Sequence, residues 1–202
     1  MKNYLNTSLP EQFQPLLDHI GRFVDLDMSE KELLLGRLSF KKVKKKEYPL
    51  SEGQICNYNY FVVKGCLRVY LITNSGLEQI TQFGIENWWI TDFDSFENQT
   101  SSAFFIQAVE ESEVIAIDKN ALENLYNEVP KVERYFRIIL QKNFVAAQRR
   151  ILWIHTISSE QRYRNFVEQF PAFVQRVPQY MLASYLGITL EFLSKIRAKK
   201  NL

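Results

Sequence analysis

The period of the apolar positions changes twice along this chain, and each change marks a change of architecture. In "MSEKELLLGRL", Leu33, Leu34 and Leu38 follow Ser29 and Glu32, whose spacing predicts a capping box and a helix start. From about residue 39 to 118 the runs become short, β-branched and aromatic: "FKKVKKKEYPL", "YFVVKGCLRVYLIT", "GLEQITQFG", "AFFIQAVE" and "SEVIAID". Gly53, Gly65, Gly76 and Gly84 punctuate them. Strands of this length and spacing predict a sandwich or small barrel. "KKVKKKE" alternates with period two around Val43, which predicts an exposed edge strand guarded by lysines in preference to a nucleic-acid strip.

After Lys119 the helical period returns. "KNALENLYNEVP" predicts one short helix, and Pro130 stands where the next can start. "KVERYFRIILQKNFVAAQRRILWIH" then runs 25 residues without Gly or Pro. Val132, Phe136, Ile139, Asn143, Ala147, Arg150 and Ile154 follow a three-four spacing in it. A stripe that long suggests a partner helix from a second copy, and the alternative is one helix lying along its own sheet. "ISSEQRYRNFVEQFP" predicts a further helix, with Ser158 and Gln161 as its capping box and Pro171 as its stop.

The last stretch, "VPQYMLASYLGITLEFLSKIRAKK", carries the most specific pattern. Pro178 suits a first helical turn, and Leu182, Ala183 and Leu186 form an inward stripe. Gly187 sits where the chain must reverse at positive φ, Ile188 plugs the turn, and Leu193 and Ile196 face inward from a second helix. A small residue at Ala183 lets two helices cross closely at a steep angle, as in a helix-turn-helix whose second helix enters the major groove. Thr189, Leu190, Glu191, Ser194 and Lys195 then face outward, where they can meet bases or phosphates. Glu191 can accept from cytosine N4, Lys195 can donate to guanine, and Leu190 can touch a thymine methyl. Arg197, Lys199 and Lys200 read as phosphate partners, and Gln179 and Tyr180 join the candidate DNA contacts.

Charge supports that direction. Residues 131–202 hold 13 Lys/Arg against 4 Asp/Glu, whereas residues 1–130 hold 12 against 19. An acidic front and a basic back suggest two modules, the second meeting a polyanion. The N-terminus lacks the apolar run of a signal peptide, and no stretch reaches the roughly 18 apolar residues of a membrane span. A soluble cytoplasmic protein is expected, with no membrane partner. Cys56 and Cys66 form no CxxC pair and read as buried or half-buried thiols. With only His19 and His155 besides, no metal site is expected.

The order of parts resembles the cyclic-AMP receptor and fumarate-nitrate regulator (Crp/Fnr) family over essentially the whole chain. "YFVVKGCLRVYLIT" is similar to its central hairpin around Lys64-Gly65, and "LASYLGITLEFLSKIR" to its DNA reader. "SEQRYRNFVEQFP" is similar to the helix preceding that reader in one branch. The resemblance implies an α+β fold in three parts. Residues 1–128 would be a double-stranded β-helix (jelly-roll) effector domain of the cyclic-nucleotide-binding type, with N-terminal helices. Residues 129–156 would be a dimerisation helix, and 157–202 a helix-turn-helix domain. It also implies a homodimer on double-stranded DNA that acts as a sequence-specific transcription regulator.

The departures carry information too. Members that hold a cyclic nucleotide use a Gly-Glu pair and an Arg followed by Ser or Thr. Here Thr91 and Asp92 fall at the first position and Ser102-Ala103 at the second, within "NWWITDFDSFENQTSSAFF". No Lys or Arg occurs from Tyr70 to Asp118. Burying a cyclic phosphate without a cation is costly, so cyclic AMP is not expected as the effector. Ala147-Gln148 fall where some members direct hydroxyls to the purine.

Other family sensing chemistries find little support. Residues 1–55 contain no cysteine cluster for iron and sulfur, haem lacks ligands, and no cofactor is expected. Trp88, Trp89, Thr91, Asp92, Ser101, Ser102 and Ala103, with Phe93, Asp94, Phe104 and Phe105 nearby, either line a pocket for an apolar or cationic ligand or simply fill the roll.

Only five residues follow Arg197. The family's β-hairpin wing is therefore expected to be mostly or wholly lacking, with Lys199, Lys200, Arg162 and Arg164 supplying phosphate contacts. Leu190 stands where some relatives place an arginine, so their operator is not expected. Two other classes fit the sequence less well. A regulatory module of this fold that has lost DNA binding is the runner-up. A cupin-type enzyme would need His ligands, which the strand region lacks.

Overall fold

The computed structural model describes residues 9–199. A single 3-10 turn (Glu11–Phe13) leads into α1 (Gln14–Gly21) and α2 (Met28–Leu35). The strands follow: β1 (Leu38–Val43), β2 (Tyr58–Lys64), β3 (Leu67–Ile72), β4 (Glu78–Gly84) and β5 (Trp89–Ile90). A short α3 (Phe93–Asn98) precedes β6 (Phe105–Ala108) and β7 (Ser112–Asp118). The rest is helical: α4 (Lys119–Glu128), α5 (Pro130–Thr156), α6 (Ser159–Gln169), α7 (Pro171–Arg176), α8 (Gln179–Leu186) and α9 (Leu190–Ala198). No helix among the described residues is long and apolar enough to cross a membrane.

The strands make two antiparallel sheets, ordered β1-β7-β2-β5 and β4-β3-β6. β1 is an edge, as the lysine pattern predicts. Lys42 pairs with Glu113 across to β7 at 3.4 Å, and the Lys41 ammonium lies 3.9 Å from the centre of the Tyr58 ring. Phe61 and Ile115 face each other in register on β2 and β7, and both are fully buried. The helices α1, α4 and α5 close that side, with the His19 ring 5.4 Å from Phe61.

Three local expectations shift. The α2 capping box is made by Asp27 and Glu30, not by Ser29 and Glu32. Asp27 accepts from the Glu30 amide, and the Glu30 side chain accepts from the Asp27 amide. A carboxylate is the stronger acceptor for a helix start, and the Ser29 hydroxyl donates to it at 2.7 Å. At α6, Ser158 accepts from the Gln161 amide, but the Gln161 side chain turns to Asn165 instead. Pro171, beyond ending α6, opens α7, because a first-turn residue needs no amide donor.

Under the four-stranded sheet, three aromatic groups form a buried polar chain. Trp89 Nε1 donates to the Tyr135 hydroxyl at 2.8 Å, and that hydroxyl and His19 Nδ1 share a hydrogen bond of 2.7 Å. With the ring neutral, the hydroxyl proton can go to Nδ1. Burial, then Arg22 and Lys142, pull the His19 pKa down from 6.5 to about 4. The folded value lies below the unfolded one, so this stabilisation is complete above pH 6.5. It is lost as pH falls from there toward 4, an effect of about 1–2 kcal/mol once solvent screening is included. Urea unfolding at pH 7 and pH 4 should show that loss in the native sequence, and His19→Leu should lack it.

Candidate nucleic-acid interface

The pair α8 and α9 is built by a few local decisions. Met181, Leu182, Ala183 and Leu186 are buried on α8, and Gly187 ends it at φ 67°. The Ile188 amide reaches back to Ala183 O at 3.0 Å and the Gly187 amide to Ser184 O at 3.1 Å. That closure needs left-handed backbone, which costs glycine least. Pro178 is the residue before α8, not inside its first turn. Thr189 then opens α9, its hydroxyl accepting from the Phe192 amide at 3.2 Å.

Leu193 and Ile196 are buried on α9, so at 100° per residue Glu191, Ser194 and Lys195 point away from the core, and all three are exposed. The Glu191 carboxyl is held below its usual range by its own backbone amide and the Thr189 hydroxyl, which keeps it an acceptor. Ser194 Oγ donates to Leu190 O at 3.0 Å. The Thr189 and Ser194 hydroxyls are therefore engaged in helix structure, and Glu191 and Lys195 are the exposed charged groups between them. Leu190 and Phe192 flank this face, both substantially exposed. The period-based reading passed over Phe192 because it lies one residue from a core position. Gln179, Tyr180, Arg197 and Lys199 are exposed. Lys200, and any question of a wing, lie outside the described residues.

Two basic residues are placed differently from expectation. Arg162 Nη1 donates to Ile154 O at 3.2 Å and Ile157 O at 3.3 Å, closing the carbonyl end of α5. Arg164 pairs with Glu160 one turn away at 2.7 Å. Free carbonyls at a helix end attract a guanidinium whether or not phosphate is near.

The side chains of the stretch around Trp88–Ala103 are largely taken up by their neighbours. Trp89 is buried between Phe61 and Phe136, while Trp88 is exposed and edges onto Phe170. Thr91 donates to Tyr58 O at 3.0 Å. Asp92 caps α3 through the Asp94 amide and accepts from Ser102 Oγ at 2.6 Å. Ser101 and Ala103 are exposed. Asp92 has no ion-pair partner among the described residues. Ser102, which falls at the position that the resemblance gives to an arginine, brings no positive charge there, and its hydroxyl is taken up by the buried Asp92 carboxylate. Beside Cys56 a groove of about 590 Å³ opens between β1 and the 49–57 loop, lined by Lys41, Tyr58 and Tyr60 among others. No group of three or more His, Cys, Asp and Glu side chains suited to a metal occurs among the described residues.

The stripe on α5 divides. Val132 is fully buried, and Phe136 and Ile139 pack into the core of their own chain. Arg150 folds back onto Tyr185 O at 2.9 Å. Asn143, Ala147 and Ile154 are exposed. The uncovered apolar face is Leu140, Phe144, Ala147, Ile151 and Ile154, flanked by Val145 and Leu152. Its members repeat at four and three residues, which is the period of paired helices. The expected stripe drifted because one 3.6-residue helix must serve a sheet first and open space afterwards.

Known proteins share this architecture. Residues 40–129 match the cyclic nucleotide-binding domain family. Regulatory protein HlyX of Actinobacillus pleuropneumoniae is 26% identical across 77% of this chain and 69% of its own length. The anaerobic regulatory protein of Haemophilus influenzae is 26% identical across 77% of this chain and 64% of its own. The chain thus spans about two thirds of the length of these curated relatives. The structure of FixK2 from Bradyrhizobium japonicum has the same fold, with a TM-score of 0.70 at 20% identity over 80% of this chain and 83% of that one.

Proposed function

We propose, from the premise that the chain belongs to the Crp/Fnr family of transcription regulators, that it works as a homodimer reading double-stranded DNA through α9 without cyclic AMP. In this reading residues 1–128 are a jelly-roll effector domain, 129–156 a dimerisation helix and 157–202 the DNA-binding domain. The outward face of α9 carries the reading: Glu191 and Lys195 stand exposed on a helix whose opposite side is held by Leu193 and Ile196. Glu191 suits a cytosine amino group and Lys195 a guanine edge, with Leu190 and Phe192 available to thymine methyls. Arg197 and Lys199 supply phosphate contacts. The apolar face of α5 supports pairing with a second copy, which brings two readers to two half-sites roughly 34 Å apart.

The buried Asp92–Ser102 pair supports an effector domain that does not take a cyclic phosphate. A duplex selected from a random pool by the pure protein should bind with log affinity falling linearly against log salt, by about 0.9 for each phosphate contact. Adding cyclic AMP should change nothing. A salt-independent signal would overturn the DNA assignment, and micromolar cyclic-AMP affinity by calorimetry would overturn the effector assignment.

A further inference from the structure

The helices that follow α5 do not hang free of the sheets. β4 is the edge of the three-stranded sheet, so half its backbone groups face outward without a neighbouring strand. α8 lies along that edge and supplies the missing partners from one residue. Ser184 Oγ donates to Glu78 O at 2.7 Å and accepts from the Ile80 amide at 2.9 Å. The Gln79 side chain donates back to Ser184 O at 2.6 Å.

A second attachment lies at the end of α7. Arg176 is bidentate to Glu86, with both bonds at 2.9 Å, and it also pairs with Glu110. It donates to Gly65 O at 3.1 Å, while the Gly65 amide donates to Glu86 at 2.9 Å. The β2–β3 hairpin is thereby gripped through both backbone groups of one glycine. Arg150 makes the third attachment. From the long helix it donates to Tyr185 O on α8 and to Thr81 O on β4, with its guanidinium 4.2 Å from the centre of the Tyr185 ring. Phe83 of β4 packs beneath, 5.0 Å from Phe173 and 5.3 Å from Tyr185.

We propose that the β-roll is a rigid brace that sets the angle of the DNA reader on the dimer helix, with Arg176 and Ser184 as positioning residues for DNA recognition. The proposal rests on the DNA-binding reading above and goes beyond it. Three observations favour a brace over an inhibitory clasp. The outward face of α9 stays exposed while these contacts are made. The contacts are directional and mostly polar, so they specify orientation as well as adhesion. The residues at the nucleotide position are bonded to each other, which leaves the docked contact to fix the angle without a ligand. In a two-fold dimer an angular error at each reader is doubled in the distance between half-sites. Holding both readers in place beforehand removes an ordering cost from binding.

The test uses the full chain with Arg176→Ala, Ser184→Ala and the double variant, and with Arg176→Lys as the conservative arm. Affinity is measured on the selected duplex, on one half-site alone, and on duplexes with the half-sites moved by one or two base pairs. Hydrogen exchange at the Ile80 amide, read without DNA, reports the docked contact directly. The double variant should lose about tenfold on the two-half-site duplex, as expected for broken charge-assisted bonds. It should keep its single-half-site affinity, become indifferent to spacing and exchange Ile80 faster. Arg176→Lys should recover part of the spacing preference.

Faster Ile80 exchange with an unchanged spacing preference would overturn the brace. Equal losses on one and two half-sites would also overturn it, and a gain in affinity would show a clasp instead. A wild-type protein that binds no duplex at any salt would remove the regulator reading and the brace together. Wild-type binding with unaltered variants removes the brace alone.

Discussion

Replacing Phe144 and Ile151 together with glutamate is expected to yield a folded monomer whose binding to a two-half-site duplex is weakened by about 10²–10⁴-fold. Phe144 is 62% and Ile151 58% exposed in the single chain, so neither contributes much to its own core. They belong to the four-three stripe shared with Leu140, Ala147 and Ile154, which the proposed dimer would cover. Two glutamates there would set like charges against each other on a two-fold axis and desolvate them. DNA affinity should fall with dimerisation because the second half-site is reached at the high effective concentration that linkage supplies. Sedimentation at micromolar protein checks the first half and titration of the selected duplex the second. A variant that stays dimeric would place the pairing surface elsewhere. Val132→Glu is the contrasting substitution, since Val132 is fully buried in its own chain and should cost folding instead.

Gly65→Ala is expected to destabilise the protein by roughly 3–5 kcal/mol, part from left-handed backbone and part from overpacking. Gly65 has φ 99°, and a Cβ there would lie 2.7 Å from Ser112 Cα and Cβ. Ser112 cannot retreat. It is fully buried in β7, and its hydroxyl accepts from the Cys66 amide at 3.1 Å. A loss of that size is a large fraction of the 5–15 kcal/mol that holds a typical domain, and about 10 °C in melting temperature is a reasonable consequence. The same substitution should loosen α7, because both backbone groups of Gly65 are partners of the Arg176–Glu86 pair. Thermal unfolding with hydrogen exchange over α7 would register both effects. An unchanged melting temperature would show that the hairpin relaxes freely.

Much of the candidate DNA-reading face was legible because its signals are local. Gly187 at positive φ, the buried Ala183 and the inward pair Leu193 and Ile196 all follow from spacing within one short stretch. The same holds for the edge lysines of β1 and the proline that opens α5. What went astray involved competition for a partner. Ser29 had the right spacing for a cap, but Asp27 is the better acceptor. Arg162 had the right charge for phosphate, yet the nearest unpaired carbonyls were at the end of α5.

The sequence by itself determined the kind of the longer elements and which side of α9 faces outward, because both depend on periods of two and 3.6 residues and on turn chemistry; the short α1, α3 and α7 carried too few turns to show a period. Only the tertiary structure decided which half of α5 is buried and which is left open. It also placed Arg176 against Glu86, 90 residues away, and Ser184 against β4, more than 100 residues away. Nothing in the local spacing of an arginine or a serine records such a partner. The physical reason is that an unpaired strand edge and a half-buried carboxylate must each be satisfied by something, and only the folded arrangement determines which side chain arrives there.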